Sequence, residues 1–297
     1  MEQDFSGIAR SGRLRPAFVL SAILAILLVV AAIPGAFVDG LYRDTRLIVA
    51  ADRGSDLLTL LLYVPVLAIS LYHSYRGSLR AQIVWLGLVS WVLYYYVLYA
   101  YGIRFTALFL VHVAVVSVAT FILAIVLRRA DVSSLARQFS SSVPRRLVAI
   151  YLWIVATMFT FLWLADIVPA LLKNQAPQRL VEMGTTSNPV EINDLAFIIP
   201  LLVTAGLWTW RKHPAGYLLA GVLLGLATAT MAALIPGAPI FLGGAPDPIY
   251  SAVAVVSLAL LIALLRGVRR GAEAAAPAQD PDRDVIRAAS SQRSLKA

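Results

Sequence analysis

The sequence offers few side chains for chemistry, and the most conspicuous is Asp166, which interrupts a long apolar stretch. The stretch runs from Leu147 to Leu172, so Asp166 lies six residues from its far end. That spacing corresponds to roughly 9 Å along a helix. A carboxylate within a bilayer is costly unless it is hydrated, paired or hydrogen-bonded. Asp166 is therefore either an interfacial carboxylate held by water or a neighbouring helix, or a carrier of a proton, cation or ligand.

His112 is the second candidate, because it lies at a similar depth. It follows Phe105, where another apolar stretch begins, by seven residues, which is roughly 10 Å along a helix. An imidazole and a carboxylate at one level could form a charge-assisted pair. Equal depth does not establish contact, however, and a single histidine on an apolar helix is commonly satisfied by a hydroxyl or a backbone carbonyl. Both interpretations of His112 stay open.

Tyrosines are concentrated in the third apolar stretch, and two of them lie too far inward for an interfacial aromatic belt. Tyr94 and Tyr95 are two to three turns from the end of this stretch, and Arg104 follows it. Buried tyrosine hydroxyls need hydrogen-bond partners. They could donate to Asp166, or they could line an external cleft in which Arg104 contacts an anion. The candidate ligand or proton pocket therefore comprises Asp166, His112, Tyr94, Tyr95 and Arg104.

Two further carboxylates, Asp56 and Asp194, stand where apolar stretches begin, next to Ser55 and Asn193. A carboxylate at a helix start accepts bonds from the free backbone N–H groups and complements the helix dipole. We therefore expect both aspartates to be N-caps with a structural role. Intramembrane aspartyl proteases also use two aspartates on helices, but their Tyr-Asp and Gly-x-Gly-Asp sequence contexts are absent at these positions.

The composition shows what must position these residues. The chain has 297 residues, of which 60% are hydrophobic and 14% charged, and its mean hydropathy is +0.80. Soluble domains carry about 25% charged residues, so a water-soluble enzyme is excluded and a multi-pass membrane protein is predicted. The absence of cysteine excludes disulfides, thiol catalysis and thiolate metal sites. Three histidines argue against a multi-histidine metal or haem site, and no phosphate-binding loop is present. No catalytic residue, metal or cofactor is assigned.

Apolar stretches of bilayer length predict an all-α, polytopic transmembrane helix bundle. Basic residues cluster in alternate connections, so the positive-inside rule places both termini in the cytoplasm. The basic residues are explained by topology, and a nucleic-acid partner is not expected. The eight predicted spans are 17–38, 57–75, 82–102, 105–127, 147–172, 195–210, 215–235 and 249–266.

The chain therefore divides into a short cytoplasmic segment, 1–15, a transmembrane domain, 16–270, and a polar cytoplasmic tail, 271–297. The tail has too little apolar surface to offset the entropy of ordering and is predicted to be disordered. The first span is interpreted as an uncleaved anchor, because Ile33-Pro34-Gly35 is a poor signal-peptidase site.

A long-period repeat is suggested by the second and sixth spans. Pro65 precedes Arg76 by eleven residues, as Pro200 precedes Arg211, and the spans before them each carry a proline near the outer end. Both repeated spans also open with an Asp-Leu pair. Four spans repeated as four preserve orientation, so the halves would be related by an axis along the membrane normal. The alternative is a chance match, since proline and Asp-Leu are common at helix starts.

The sequence also resembles a group of uncharacterised bacterial multispanning proteins. The resemblance covers most of residues 57–220 and rests on the runs Arg76-Gly77-Ser78-Leu79-Arg80, Trp85-Leu86-Gly87, Tyr94 to Gly102, Leu108-Phe109-Leu110, Asn188-Pro189-Val190, Asp194-Leu195, Pro200 and Gly216-Tyr217. It implies an inner-membrane protein and no activity. The resemblance implies that relatives often carry tyrosine at the position of His112 and glutamate at that of Asp166, which weakens an essential role for the histidine but keeps a carboxylate.

Three function classes follow. The polar residues towards one face favour a protein that binds or moves a small ion, a proton or a lipid-like molecule. The absence of catalytic motifs and the small extramembrane mass favour a structural or accessory subunit of a membrane complex. An enzyme acting on a lipid carrier comes third, because it needs paired aspartates for Mg²⁺ or a nucleophile arrangement, and neither is visible in the sequence.

Overall fold

The computed structural model describes residues 7–9, 11–132, 135, 138–140 and 142–269. In this part of the chain, eight helices are long and apolar enough to cross a membrane, which confirms the all-α, multi-pass bundle. The only extended pairing among the described residues is an isolated bridge between Phe139 and Val268. The predicted tail, 271–297, lies outside the described residues.

The eight helices are numbered here in chain order, and a short helix, Gln178–Met183, lies between the fifth and the sixth. They are α1 (Ser11–Phe37), α2 (Arg46–Tyr75), α3 (Leu79–Tyr101), α4 (Phe109–Arg129), α5 (Arg145–Leu172), α6 (Pro189–Trp210), α7 (Pro214–Leu234) and α8 (Pro248–Arg266).

Helices α2 and α6 begin earlier than the sequence predicted, and this corrects the assignment of Asp56 and Asp194 as N-caps. Helix α2 starts after Thr45, and α6 starts after Asn188, whose side chain accepts a bond from the N–H of Val190 at 3.1 Å. The two aspartates therefore lie inside continuous helices, where the backbone N–H groups are already bonded. The N-cap prediction was wrong because the first turns of both helices contain polar residues, which hydropathy assigns to the preceding connections.

Each of these two helices contains a π-helical turn that ends two residues before a proline. The turns are Thr59–Tyr63, ahead of Pro65, and Asp194–Ile198, ahead of Pro200. Proline has no N–H to donate, so the preceding turn must widen or lose a hydrogen bond. π-turns recur at functional sites in helices, and both turns here lie next to buried carboxylates.

The structural elements of the first half recur at a constant offset of 135 positions. This offset relates the helix-interior prolines Pro34 and Pro169, the two π-turns and the starts of α3 and α7 at Leu79 and Pro214. The bundle is thus built from α1–α4 and α5–α8. At this offset Asp56 corresponds to Glu191 and Thr59 to Asp194, so the two Asp-Leu pairs are not equivalent positions.

The halves meet where α3 and α7 pack side by side. A Cβ at Gly87 would lie 3.1 Å from the Cα of Gly225, and one at Gly221 would lie 2.7 Å from a methyl carbon of Ile83. Small residues allow this close approach of two helices in a membrane. Ile83 contacts Gly221, and four residues later on both helices Gly87 contacts Gly225. Because the contacting positions move in the same direction along both chains, α3 and α7 run parallel. Parallel packing agrees with a repeat about an axis along the bundle.

The two halves differ in how their first and last helices pack. Helices α1 and α4 pack closely along their length, whereas α5 lies against α6 and hardly approaches the backbone of α8. Tyr151 bridges this gap, because its hydroxyl lies 2.6 Å from Oγ of Ser257 and donates to the carbonyl of Val253 at 3.2 Å. The second half is therefore more open between its outer helices.

Candidate functional site

Buried carboxylates form two groups at the end of the bundle where α2 and α6 begin and α3 ends. The group in the first half, here called the Asp56 cluster, comprises Asp52, Asp56, Tyr42, Tyr99 and His112. The group in the second half, the Asp194 cluster, comprises Asp194, Tyr94, Trp163, Glu191 and Asp166. Both groups are assembled from several helices, so the fold rather than one local motif creates them.

In the Asp56 cluster, the carboxylate accepts two tyrosine hydroxyls. Tyr42 donates to Oδ2 at 2.6 Å, and the hydroxyl of Tyr99 is shared between Oδ1 at 3.3 Å and the backbone carbonyl of Asp52 at 3.2 Å. Gly35 of α1 is required here, because a Cβ at this position would collide with Oδ2 of Asp56. Burial and the nearby charge of Asp56 raise the pKa of Tyr42 well above its ordinary value. The hydroxyl therefore remains protonated and acts as a donor.

Aromatic rings surround this carboxylate. Tyr99 stacks between Tyr42, at 5.9 Å between ring centroids, and His112, at 5.0 Å. Asp52 lies one turn before Asp56 and is only 7% exposed. The Oδ2 atom of Asp52 and the Nε2 atom of His112 are buried and have no hydrogen-bond partner. The cluster therefore holds more polar groups than its own hydrogen bonds satisfy.

In the Asp194 cluster, the carboxylate is held by two neutral donors from other helices. Tyr94 of α3 donates to Oδ1 at 2.9 Å, and Nε1 of Trp163, on α5, donates to Oδ2 at 3.0 Å. The guanidinium of Arg179 stacks over the Trp163 ring at 5.2 Å. Asp194 is thus fixed in orientation without an ion pair.

Two more carboxylates lie close to Asp194. Glu191, one turn earlier on α6, is 7% exposed and interacts electrostatically with Asp166 and Arg179. One oxygen of Glu191 and one of Asp166 are buried without a hydrogen-bond partner. In the described part of the chain, these carboxylates do not form a three-residue group suited to a metal ion.

A cavity of about 40 Å³ lies beside the Asp194 cluster, among helices α5 to α8. This volume accommodates about one or two water molecules. Its polar wall is formed by Asp194, Tyr94 and Thr230, and Oγ1 of Thr230 is buried without a partner. The remaining lining is apolar and consists of Val155, Phe159, Ile198, Ile199, Leu202, Leu223, Leu226, Ala227, Met231 and Val253.

The structure does not bring the five predicted pocket residues into one site. Tyr94 binds Asp194 rather than Asp166, while Tyr95 packs edge-on against Tyr99 at 5.3 Å in the Asp56 cluster. Arg104 is exposed, and its backbone N–H and guanidinium bind Asp44 and the carbonyl of Arg43. The prediction was wrong because equal depth and shared helix face do not specify which neighbouring helix a side chain meets.

The predicted pair of His112 and Asp166 is also absent from the described residues. His112 contacts the rings of Tyr96 and Tyr99 in the first half, whereas Asp166 lies near Glu191 in the second. The two residues approach the same end of the bundle from different halves. Counting residues along one helix does not show which residues of other helices are adjacent.

Several site residues were missed in the sequence, although a weak signal existed for two of them, Asp52 and Glu191. Asp52 precedes Asp56 by four residues and Glu191 precedes Asp194 by three, which places each pair on one helical face. That signal was unusable as long as the early turns of α2 and α6 were assigned to connections. Tyr42 carried no signal, because it lies in a connection and reaches Asp56 only through the fold.

Comparison with known proteins adds no identification. No protein-family model matches the chain. No curated protein matches it either, and the same is true of solved structures.

Proposed function

We propose that this membrane protein binds, and through binding moves, a single-chain lipid-like molecule whose head is cationic or donates hydrogen bonds. The binding site is the cavity enclosed by α5, α6, α7 and α8, with Tyr94 of α3 on its polar wall. One observation carries the proposal: the cavity has the Asp194 carboxylate on its polar wall and side chains from four helices on its apolar wall. A polar anchor at one end of an apolar site suits an amphiphile.

The chemistry of the polar wall selects the head group. Asp194 is 7% exposed, and its hydrogen bonds within the described part of the chain come from the neutral donors of Tyr94 and Trp163. An ionised carboxylate is an acceptor with further free lone pairs, and it is costly in a membrane without compensation. An ammonium or another strong donor supplies that compensation, and the free hydroxyl of Thr230 offers a second contact.

The separation of α5 and α8 provides the route of entry. The cavity of about 40 Å³ is too small for a lipid chain, so binding requires these helices to move apart. In the described part of the chain, they are joined by the hydrogen bonds of Tyr151 and by side-chain packing around Phe159 and Val253. In the first half, close packing of α1 on α4 closes the equivalent route.

The charge distribution supports an orientation for this activity. The basic connections face the cytoplasm under the positive-inside rule, so both termini are cytoplasmic and the Asp194 cluster lies at the external end. The resemblance to bacterial multispanning proteins suggests the inner membrane as the location. A ligand would then enter from the outer part of the bilayer.

Photolabelling in lipid nanodiscs tests this function. The probes are a long-chain amine and a fatty acid of the same length, each with a diazirine on the chain and a terminal alkyne. The amine should label peptides of α5–α8 more strongly than the acid, and Asp194→Asn should reduce the amine signal to the level of the acid.

Asp247→Asn is the matched control. Asp247 is an exposed aspartate that caps α8 through the N–H groups of Ile249 and Tyr250, and asparagine caps helices equally well. This variant should keep full amine labelling. Equal labelling by both probes, or labelling unchanged by Asp194→Asn, would show that the cavity does not select a cationic head.

A second candidate function is a structural or accessory subunit of a membrane complex. It is favoured by the way the carboxylates are bonded within the chain: Asp56 joins α2 to Tyr42 and to α3, and Asp194 joins α6 to α3 and α5. Such bonds hold helices together without any ligand. Under this alternative, neither photoprobe shows a preference, whereas substitution of Asp194 still lowers thermal stability.

A further inference from the structure

Asp52 and Asp56 form an unneutralised pair of carboxyl groups in the first half of the bundle. They are four residues apart on α2, so their side chains share one face, and they are 7% and 2% exposed. Among the described residues, the one ion pair is that between Arg53 and Asp39, and it leaves both groups without a cation. Two neighbouring carboxylates in a medium of low dielectric constant cannot both be ionised at neutral pH.

The hydrogen bonds indicate which group carries the charge. The oxygens of Asp56 accept the hydroxyls of Tyr42 at 2.6 Å and Tyr99 at 3.3 Å. The buried Oδ2 of Asp52 has no donor. Because a carboxylate only accepts hydrogen bonds whereas a carboxylic acid also donates one, the donors favour the ionised form at Asp56 and the protonated form at Asp52.

A second, independent observation is that the aromatic side chains beside the pair carry buried polar atoms without hydrogen-bond partners. His112 is 1% exposed, its Nε2 has no partner, and its ring stacks at 5.0 Å on Tyr99, which bonds Asp56. The hydroxyl of Tyr96, 1% exposed, is likewise unpartnered. Buried polar groups normally have hydrogen-bond partners. The unpartnered donors and acceptors beside the carboxylate pair therefore leave hydrogen-bonding capacity free at this position.

Among the residues that the structure describes, no cation forms an ion pair with either carboxyl group of the pair. Arg53 is on the same helix, but its guanidinium binds Asp39 and the carbonyl of Ala36. Helix α1 contributes Gly35, and the segment after α7 contributes Gly237 against Gly54. The titratable groups around the pair are Tyr42 and Asp44 before α2, Tyr63 on α2, Tyr95, Tyr96 and Tyr99 on α3, and His112 on α4.

We propose that Asp52 and Asp56 form a proton-binding site, in which Asp52 holds the proton and Asp56 holds the negative charge. Uptake of one proton forms the O–H bond of Asp52 and changes the charge of the pair from two negative charges to one. The site lies in the half of the bundle that lacks the cavity. It is therefore separate from the ligand site at Asp194 and stands without it.

Infrared spectroscopy of the full-length protein in nanodiscs tests this site directly. At neutral pH the wild-type protein should show the carbonyl stretch of a protonated carboxylic acid, which should shift in D₂O and disappear at high pH. Asp52→Asn should lose this component. Asp39→Asn, which changes an exposed aspartate on the same side of the bundle, should retain it. Absence of the band in the wild type, or its full amplitude in Asp52→Asn, would overturn the proposal.

Two further measurements remove the remaining ambiguities. Asp56→Asn removes the neighbouring negative charge that favours the protonated form of Asp52, so the Asp52 band should disappear at a lower pH than in the wild type; an unchanged pH dependence contradicts the shared site. This variant also serves if Asp52→Asn fails to fold. Replacing choline chloride by sodium chloride at constant pH should leave the wild-type band unaltered. Loss of the band in sodium would mean that the pair binds a metal cation instead of a proton.

Discussion

The hydroxyl of Tyr94, in the first half of the chain, donates a hydrogen bond of 2.9 Å to Oδ1 of Asp194 in the second half. A second bond between the halves runs from the hydroxyl of Tyr63 to the carbonyl of Ala229 at 2.6 Å. Both lie on the side of the bundle where the carboxylates are buried. The duplicated halves are thus joined by polar contacts at one end and by the close packing of α3 on α7 nearer the middle.

Tyr94→Phe should destabilise the protein, because it removes one of the two donors to the buried Asp194 carboxylate. The expected loss is on the order of 1 kcal/mol, in the range for hydrogen bonds within membrane proteins and for bonds to charged groups. Thermal unfolding in nanodiscs measures it. Tyr101→Phe is the control, since Tyr101 is 76% exposed, and an equal effect of both variants would contradict a specific role for the bond.

Gly87→Leu should separate the two halves. The Cβ alone would lie 3.1 Å from the Cα of Gly225 and 3.3 Å from the carbonyl oxygen of Val222, so backbone rather than a flexible side chain blocks it. We expect the free energy of unfolding to fall by about 1–3 kcal/mol, as for other overpacked cores. Gly12→Leu should have little effect in the same unfolding assay, because a Cβ at Gly12 meets open space. Similar stabilities of the two variants would argue against this interface.

Much of the fold was predictable from the sequence, because hydropathy and charge act locally along the chain. Each of the eight spans was predicted, and the spacing from Pro65 to Arg76 and from Pro200 to Arg211 suggested a repeat, with a chance match left open. The starts of α2 and α6 were missed, since Arg46–Leu58 and Pro189–Asn193 carry polar residues that hydropathy assigns to connections. These residues are helical because they pack against other helices, which one sequence does not reveal.

The site was predictable only as a set of residue types at one depth. Tyr94 and Asp194 were both noted in the sequence, but nothing local indicates that a hydroxyl on α3 reaches a carboxylate 100 positions later on α6. Tyr42 and Asp52 were missed altogether. Depth follows from counting residues along one helix, whereas adjacency depends on the azimuth of each helix and on which helices are neighbours.

Tyr151→Phe should increase the opening of α5 relative to α8. The substitution removes the hydroxyl that contacts Ser257 and Val253, while the ring remains. Backbone amides of α8 near these residues should exchange hydrogen for deuterium faster, because local opening becomes easier. Tyr75→Phe, at a residue that is 55% exposed, is the control. Unchanged exchange in Tyr151→Phe would mean that side-chain packing alone closes the second half.

Reporter fusions should place the two ends of the bundle on opposite sides of the membrane. Reporters inserted after Gly184, in the exposed connection before α6, and at the C-terminus should give opposite results, because the basic connections are expected in the cytoplasm. A matched fusion after Gly77, in the basic connection between α2 and α3, should agree with the C-terminus. The same side for Gly184 and the C-terminus would rule out this topology.

Asp166 remains the carboxylate that most directly tests access from outside. It is half-buried near the end of α5, and its Oδ2 atom is buried without a hydrogen-bond partner. The chain has no native cysteine, so a membrane-impermeant thiol reagent reports only on the introduced residue. Asp166→Cys should react from outside more slowly than Lys173→Cys, at the exposed end of the same helix, and faster than Asp56→Cys, at a site 2% exposed. If only Lys173→Cys reacts in folded protein, Asp166 is closed to water from outside and does not contact an external ligand.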